Sequence, residues 1–405
     1  MSIFLYNIYI RLLGIGLFLA SPFSNRAKRW ITDRKTQVVN LPFAKKKAWF
    51  HVSSLGELEQ AYPLIQAVKE HQYTTVVSFF SHSGYDYGDR YPAIDHCFLL
   101  PLDTASNGRR FVQDIKADIF FWTKNDFWLN TLNAIIKERT PVILFAASFY
   151  EDHFIQKPIF STFRETLSKF EQIFVQNENS LKLLANCKIH NASVSGDTRI
   201  SRVKQRAQSI KSIKGLQEFS ATKPVLALAS VHEEDSPIIK KAILAFEDIY
   251  KIIIIPHHIE ASNISKIMNE IPDKIYEIND SFASAKKEII VFNKMGDLFD
   301  MYVHTDIVYI GGGFGKGIHN ILEPTIFGKS VIFGPNFKKF WEAETFIDLG
   351  ISMNCNNADD FVSIIKELNE ERMLQISIDL KIFYKNYPNA VEKIMKYCVN
   401  KKLIN

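Results

Sequence analysis

The stretch DIVYIGGGFGKGIHNILEP, residues 306–324, decides the fold of this chain. It opens on a short apolar run, passes through a glycine-rich loop and enters a segment that predicts a helix carrying Glu323. A buried strand followed by such a loop and a helix begins one βα unit of a parallel sheet. Glycines without side chains let backbone N–H groups cradle a phosphate, with a helix dipole behind them. From this loop alone, the alternative is an ordinary tight turn.

Similar apolar runs occur in two series along the chain. The first series comprises AWFHVSS, TTVVSFF, HCFLLPL, DIFFWT, PVILFAAS and QIFVQN, and the second comprises PVLALAS, YKIIIIPHH, EIIVFN, DIVYIGGG and KSVIFGP. Because helical stretches separate these runs, the sequence predicts an α/β protein with two Rossmann-like parallel-sheet lobes facing a cleft. A length of 405 residues agrees with two domains, since one hydrophobic core rarely serves more than roughly 250–300 residues.

The predicted domain boundaries follow from these two series. Residues 36–203 form the N-terminal domain and residues 223–385 form the C-terminal domain. Residues 204–222 have helical character without a strand signal and are predicted to link them. Residues 1–35 are predicted to be an apolar anchor helix with a basic flank, and residues 386–405 a helix that packs back on the N-terminal domain.

The N-terminal run IFLYNIYIRLLGIGLFLASPF, residues 3–23, is apolar enough to enter a bilayer, although Asn7 and Arg11 interrupt it. A spanning helix needs about 20 mostly apolar residues, and a central Arg costs roughly 2.5–3.5 kcal/mol on insertion. We therefore expect a shallowly inserted or singly anchoring helix, with a basic flank that contacts anionic headgroups on the cytoplasmic side. The flank comprises Arg26, Lys28, Arg29, Arg34 and Lys35. The alternative is a buried first helix of the N-terminal domain.

The overall composition excludes several classes of protein. Hydrophobic residues make up 47% and charged residues 23%, which is too apolar for a disordered chain and too charged for a polytopic membrane protein. The net charge is only +5, and we expect no nucleic-acid partner. The four cysteines are widely scattered, so the sequence predicts neither a zinc site nor a disulfide framework, and a reducing cytoplasm fits best.

The segment HVSSLGELEQAYPLI, residues 51–65, runs from a predicted strand into a helix predicted to begin near Glu57. Gly56 allows a ligand to approach the backbone closely. A carboxylate held at this helix start could act as general base toward a sugar hydroxyl. The alternative is that Glu57 only stabilises the first helical turn by its charge.

Loops after other predicted strands supply further candidate binding residues. ASVHEED and PHHIE offer polar side chains for a phosphate or a sugar carboxylate, MGDL offers backbone N–H groups for a nucleobase edge, and SGDTRI ends near an arginine that could reach an anion across the cleft. Glu323 is placed to accept hydrogen bonds from ribose hydroxyls. The candidate binding residues are Ser54, Gly56, Arg199, Ser230, His232, Glu233, Pro256, His257, His258, Met295, Gly296, Asp297, Gly312, Gly313, Gly317, His319, Asn320 and Glu323.

A metal ion bound by His257 and His258 is the competing interpretation of the PHHIE segment. Adjacent histidines point in divergent directions, however, and no third ligand is near them. We therefore expect no metal site.

Taken together and in this order, these motifs resemble the Kdo (3-deoxy-D-manno-octulosonic acid) transferases, inverting enzymes with the GT-B architecture. HVSSLGE is similar to the family's H-x-x-S-x-G-E segment, and ASVHEED, PHHIE, MGDL and GIHNILEP are similar to its CMP-binding loops. The resemblance implies that Glu57 is the catalytic base, CMP-Kdo the donor, and a phosphorylated glucosamine-disaccharide lipid such as lipid IVA the acceptor. It also implies that no metal or other cofactor takes part and that the protein lies on the cytoplasmic face of the inner membrane.

Two segments depart from the family pattern. The family's E-T-E-x-W-P-N segment corresponds to KNDFWLN, residues 124–130. Lys124 stands in place of the first acid of that segment, and Asp126 replaces the second acid, which makes Asp126 the second candidate catalytic residue beside Glu57. PHHIE stands where an Arg-His pair is more usual, so we expect a phosphate contact that is weaker or sensitive to pH. Two alternatives remain open: another GT-B enzyme acting on a UDP-sugar, either a transferase or an epimerase, and a membrane-surface scaffold without turnover.

Overall fold

The computed structural model describes residues 2–42, 45–124, 126–150 and 153–405. The chain forms two compact units, which we call the N-terminal unit (Met1–Arg202 with Pro388–Asn405) and the C-terminal unit (Val203–Tyr387). The predicted linker thus belongs to the C-terminal unit, and the last segment of the chain belongs to the N-terminal unit.

Each unit contains a sheet of seven strands in which all the strand pairs are parallel. The strands are β1 (Lys47–Val52), β2 (Thr74–Phe79), β3 (His96–Leu99), β4 (Ile119–Thr123), β5 (Val142–Ala147), β6 (Gln172–Val175), β7 (Ala192–Val194), β8 (Val225–Val231), β9 (Lys251–Pro256), β10 (Glu277–Asn279), β11 (Ile289–Phe292), β12 (Ile307–Ile310), β13 (Ser330–Phe333) and β14 (Ser352–Asn354). The strand orders are β3-β2-β1-β4-β5-β6-β7 and β10-β11-β9-β8-β12-β13-β14. This confirms the predicted α/β class with two parallel sheets.

Helices run between most of the strands, as parallel connections require. They are α1 (Ile3–Ala20), α2 (Asn25–Thr36), α3 (Leu55–Glu70), α4 (His82–Tyr85), α5 (Ala105–Ile115), α6 (Leu129–Lys137), α7 (Ser161–Leu167), α8 (Glu178–Asn186), α9 (Thr198–Arg206), α10 (Leu216–Ser220), α11 (Ser236–Phe246), α12 (Ala261–Ile267), α13 (Leu298–Met301), α14 (Leu322–Thr325), α15 (Trp341–Asp348), α16 (Ala358–Glu367), α17 (Glu370–Asn386) and α18 (Ala390–Asn400). A 3₁₀ turn, Glu233–Asp235, precedes α11.

Strands β1, β2, β4 and β5 of the N-terminal sheet are buried on both faces, which is why they read as continuous apolar runs. Trp49 and Trp122 pack into the core on one face, whereas Phe50 and Phe121 pack on the other, with ring centroids 4.6 Å apart. Ile394 of α18 joins this second core. The polar loops that follow the strands are consequently the places where functional side chains can reach solvent.

Helix α1 attaches to the N-terminal unit along one narrow side. Tyr6 and Ile10 are buried there, and the Tyr6 hydroxyl donates to Oδ2 of Asp103 at 2.6 Å. The same carboxyl accepts from the N–H groups of Asn130 and Thr131 at the start of α6. A buried hydrogen-bond network therefore holds α1 against the sheet-forming part of the unit.

Most of α1 is nevertheless exposed, so the alternative of a buried first helix is wrong. Phe4, Leu12, Phe18 and Leu19 are between 61% and 70% exposed. By length and composition alone, α1 is apolar enough to cross a membrane. A helix with one anchored side and a broad exposed apolar surface is typical of attachment to a membrane interface.

Part of the predicted basic flank has another role. Arg29 pairs with Asp33 and Asp86, and the Arg34 guanidinium stacks on Trp30 and donates to the carbonyl of Leu100. These two arginines therefore fasten α2 to the unit. Arg26, Lys28 and Lys35 of α2 are also exposed.

We expect Tyr6→Phe to lower the midpoint temperature of unfolding. The substitution removes a hydrogen bond to a buried carboxyl, a class of interaction that contributes about 1.5–3 kcal/mol, and leaves the Leu129 N–H without its hydroxyl acceptor. Tyr9→Phe is the matched control, because Tyr9 is 52% exposed on the same helix. Thermal unfolding of both variants in detergent checks this, and equal midpoints would show that the network does not hold α1.

Candidate active site

The N-terminal part of the site is built at the start of α3. Ser54 is the N-cap, and its hydroxyl accepts from the Glu57 N–H at 3.4 Å. The Ser53 N–H donates to Oε2 of Glu57 at 2.6 Å, so the carboxylate is held beside the end of β1. The helix begins at Leu55, two residues before the predicted start near Glu57. Glu57 thus also stabilises the first helical turn, as the alternative interpretation proposed.

Asp126 reaches the same serine from a different strand. The Ser53 hydroxyl donates to Oδ2 of Asp126, and the Trp122 indole N–H donates to the Asp126 carbonyl at 2.7 Å. Ser53 therefore links the two predicted catalytic acids through its backbone and its side chain. The sequence analysis assigned no role to Ser53, although a serine between a strand end and an N-cap is well placed to donate in both directions.

Burial raises the pKa of Glu57 above its usual range, and the nearby Asp126 charge adds to this effect. The Ser53 N–H and the Lys124 ammonium oppose it, because both stabilise the charged carboxylate. The pKa of Asp126 is also raised, chiefly by burial. Lys124, which replaces an acid of the family segment, thus compensates in part for the burial of the proposed base.

Gly56 lies exposed in the first turn of α3. A methyl group built on it would meet only the Ser54 hydroxyl oxygen, at 3.9 Å. The position is therefore open, as expected for a place where a ligand approaches the helix start.

Arg199 is not a free anion-binding group in this structure. Its guanidinium donates to Oδ2 of the buried Asp197 at 2.6 and 2.9 Å, and Gln60 donates to the other oxygen of that carboxyl. Its proposed contact with a phosphate or carboxylate stays a prediction. An anion bound by Arg199 would have to accept from the guanidinium while the Arg199–Asp197 ion pair stays in place, or would have to displace Asp197.

In the C-terminal unit, a buried carboxyl joins the loops after β8 and β12. Asp235 accepts from the Tyr309 hydroxyl at 2.6 Å, from the His232 N–H at 2.8 Å and from the Gly312 N–H at 3.0 Å. The preceding Ser230 has φ of +54° beside a register irregularity between β8 and β9. This left-handed residue redirects the chain, so that Glu233 and His232 follow in the loop. The sequence analysis missed Asp235, which sits only one residue beyond the glutamates that it considered.

The glycine loop differs from the simple phosphate cradle that was predicted. The N–H of Gly312 donates to Asp235, and those of Gly315 and Gly317 donate to the Gly312 carbonyl at 3.0 and 3.1 Å. These three donors are therefore used within the protein. Gly312 has φ of +85°, and a side chain on Gly313 would meet the backbone of Gly334 at 2.6 Å. The glycines thus serve first to let the loop fold tightly.

The helix predicted after the glycine loop is also shorter than expected. Helix α14 has four residues, and the Asn320 side chain accepts from the Leu322 N–H at its start. A single turn supplies little of the predicted helix dipole. Glu323, proposed to bind ribose, lies 3.6 Å from Nη1 of Arg206 in an ion pair. Arg206 is a further residue that the sequence analysis did not consider.

The MGDL loop precedes α13, which is a single turn as well. Met295 is 65% exposed, Gly296 has φ of +99° with open space around it, and Asp297 pairs with Lys294 at 2.7 Å. The proposed contact of this loop with a nucleobase stays a prediction.

Histidines from three loops of the C-terminal unit lie together. His257 follows Pro256 at the end of β9, and its N–H donates to the Val231 carbonyl at 3.0 Å. The rings of His257 and His319 stack with centroids 4.2 Å apart, and Nε2 of His232 lies 2.8 Å from Nε2 of His319. The expectation that no third nitrogen ligand is near PHHIE is therefore wrong, because histidines distant in sequence supply the neighbours. His258 is exposed and lies beside this group.

Burial favours the neutral form of two of these histidines, His257 and His319. Burial, with a smaller contribution from the neighbouring histidines, lowers the pKa of His319 to about 4. Burial likewise lowers the pKa of His257, with the same secondary contribution from His232 and His258. Neutral rings offer one N–H and one lone pair each, so the group can either donate to an anion or act as ligands.

Comparison with known proteins finds similarity to one family in particular. The sequence model of the family described as 3-deoxy-D-manno-octulosonic-acid transferase (kdotransferase) matches residues 25–202. A 3-deoxy-D-manno-octulosonic acid transferase from Rickettsia bellii is 25% identical over 413 residues, covering 98% of this chain and 95% of that relative. One from Aquifex aeolicus is 25% identical over 335 residues, covering 81% of this chain and 88% of the relative. The chain is thus similar to Kdo transferases over nearly its whole length.

This similarity to Kdo transferases indicates a glycosyltransferase enzyme. The fold is similar to that of a putative UDP-N-acetylglucosamine 2-epimerase from Listeria monocytogenes, with a TM-score of 0.62, 15% identity, and coverage of 87% of this chain and 95% of that chain. At this identity the similarity shows the GT-B fold alone. The family therefore favours transfer over epimerisation.

We expect the charge of Lys124 to set the acid limit of activity. A general base must be deprotonated, and removing the positive charge that favours the Glu57 carboxylate raises the Glu57 pKa further. In a profile of kcat/KM against pH, the acid limb should therefore move to higher pH in Lys124→Gln and further in Lys124→Glu. Lys137→Gln, an exposed change in α6, is the control. An acid limb at the same pH in all variants would contradict this electrostatic role.

Proposed function

We propose that this chain is an inverting transferase that moves Kdo from CMP-Kdo to a hydroxyl of a phosphorylated, lipid-linked glucosamine disaccharide such as lipid IVA. The observation that carries the proposal is the placement of Glu57, held by the Ser53 N–H at the open start of α3 with Asp126 on the same serine. Similarity to Kdo transferases over 98% of the chain supports Kdo as the transferred sugar.

In the proposed reaction, Glu57 takes the proton from the acceptor hydroxyl as its oxygen attacks the anomeric carbon of Kdo. The new carbon–oxygen bond forms as the bond to the phosphate oxygen breaks, and CMP leaves with the electron pair. Displacement from the opposite side inverts the anomeric centre. Only Oε2 of Glu57 is engaged by the Ser53 N–H among the described residues, so Oε1 is the proposed proton acceptor.

Stabilisation of the leaving phosphate is proposed to come from imidazole donors in the C-terminal unit. N–H groups of His232, His257 and His319 that are not used in the His232–His319 hydrogen bond take the place of the glycine N–H groups that the loop uses internally. Donors fixed in place before the reaction stabilise developing charge at little reorganisation cost. We propose that transfer needs no metal ion, so turnover in the presence of EDTA should equal turnover without it.

The acceptor is lipid-linked, and the proposed location is the cytoplasmic face of the inner membrane. Helix α1 supports this proposal, because its exposed apolar surface is followed in sequence by Arg26, Lys28 and Lys35, which are also exposed. Apolar insertion together with attraction to anionic headgroups is the usual basis of interfacial binding. The Tyr6–Asp103 hydrogen bond argues for a helix lying on the membrane rather than one drawn across it.

We expect Glu57→Gln to abolish transfer while CMP binding persists. The amide oxygen can still accept from the Ser53 N–H, so the start of α3 is kept, but the amide cannot take the acceptor's proton. Glu70→Gln, an exposed change at the other end of the same helix, is the matched control and should transfer normally.

Thermal unfolding with nucleotide gives the second measurement for this variant. CMP should raise the unfolding temperature of wild type and Glu57→Gln alike, whereas UDP should not, since only a ligand that binds the folded state stabilises it. Turnover by Glu57→Gln at the wild-type rate would disprove the role of Glu57 as the base. Stabilisation by UDP but not by CMP would favour an enzyme that acts on a UDP-sugar.

We expect the exposed aromatic side chains of α1 to provide membrane affinity. Replacing Phe4 and Phe18 together by Ser should weaken sedimentation with vesicles that contain anionic lipid, because each ring buries apolar area in the interface. Val38→Ser is the control, since Val38 is 78% exposed but lies outside the helix. Unchanged sedimentation of the double variant would locate the membrane contact elsewhere.

A further inference from the structure

The three half-buried histidines of the C-terminal unit have the spacing of a cation site. One ring nitrogen from each of His232, His257 and His319 lies within 4.8 Å of the other two. These residues come from three separate loops, after β8, after β9 and after the glycine loop. From the sequence alone, a metal ion was weighed only for the adjacent His257 and His258, and no metal site was expected.

We propose that His232, His257 and His319 form a binding site for a late first-row divalent cation such as Zn²⁺. Imidazole is a preferred ligand of zinc, nickel and copper, whereas magnesium and calcium require oxygen ligands. The three nearest ligand atoms are all nitrogen. The site is therefore selective by its chemistry against the hard cations.

A metal ion could take the place of the hydrogen that His232 and His319 share between their rings. Their Nε2 atoms lie 2.8 Å apart, so one carries the hydrogen and the other the lone pair. At a zinc–nitrogen distance of about 2.0–2.1 Å, two tetrahedral ligands stand about 3.3 Å apart. The two rings therefore need to separate by about half an ångström, and the His257 nitrogen needs to move inward by no more than about 1.5 Å.

Hydrogen bonds within the C-terminal unit hold the loops that carry the three histidines. The Asp235 carboxyl fixes the N–H groups of His232 and Gly312, and the His319 N–H donates to the Gly311 carbonyl at 3.3 Å. The His257 N–H is fixed by Val231. Because a hydrogen bond fixes the backbone of each of the three histidines, little entropy remains to be lost when an ion binds.

Three protein ligands leave the fourth position of a tetrahedral ion open to water or an anion. The site lies in loops that the proposed function assigns to the donor phosphate, but cation binding is measured without any donor. The two proposals therefore stand or fall separately. A chain that binds Zn²⁺ without transferring Kdo, or the reverse, would distinguish them.

The test uses full-length protein without a histidine tag, stripped with EDTA and titrated with Zn²⁺ against a chromophoric chelator. Wild type should bind one equivalent of Zn²⁺. His257→Arg, His232→Gln and His319→Gln should each weaken the affinity for Zn²⁺ by more than about 100-fold, since loss of a ligand costs more than loss of the groups that hold the ligand. In His257→Arg the guanidinium is polar and can still donate hydrogen bonds, but it has no lone pair with which to bind the ion.

Two histidines outside the group serve as controls. His258→Gln removes the exposed neighbour, and His304→Gln removes a histidine elsewhere in the unit. Both should keep the wild-type affinity. Circular dichroism of each variant checks folding. The visible absorption of bound Co²⁺ gives a second readout, with an intense tetrahedral band in wild type and both controls but not in the three ligand variants. Affinity unchanged by all three ligand substitutions, or lowered equally by the controls, would overturn the site.

Discussion

The buried carboxyl of Asp235 is the interaction on which the C-terminal site depends. Its two oxygens receive the Tyr309 hydroxyl and the N–H groups of His232 and Gly312. A buried carboxylate is stable only when donors surround it, so the loops after β8 and β12 are fixed relative to each other. The glycines let the second loop close over this carboxyl, and the histidines are positioned as a consequence. Removal of Asp235 would therefore disturb the loops that carry His232 and Gly312.

Ser53 has the corresponding role in the N-terminal unit. Its backbone N–H holds Glu57 and its hydroxyl holds Asp126, so one residue sets the positions of both acids. The same contacts explain how a buried carboxylate can remain available as a base. Burial favours the neutral acid, whereas the Ser53 N–H and the Lys124 charge favour the carboxylate. The substitution of Lys for an acid in this segment therefore fits an enzyme whose base is tuned by a different neighbour.

Sequence periodicity predicted the two parallel sheets because strands buried on both faces read as continuous apolar runs. Family motifs predicted Glu57 and Asp126, which the structure brings to one serine. Local patterns could not predict that the glycine N–H groups are used internally, since this depends on Asp235 folding back from another loop. Nor could adjacent residues show that His319 meets His257, because parallel strands bring distant segments to one edge of a sheet. The length of α14 was missed because apolar residues after the loop resemble a longer helix.

The most direct test of the central claim is mass spectrometry of the lipid product. Purified protein is incubated with a lipid A precursor and a CMP-Kdo supply, with UDP-sugars as the parallel donors. The account predicts that the acceptor gains the mass of one or more Kdo residues with CMP-Kdo and gains nothing with UDP-sugars. An acceptor of unchanged mass with CMP-Kdo, under conditions in which the protein is folded and binds vesicles, would contradict it.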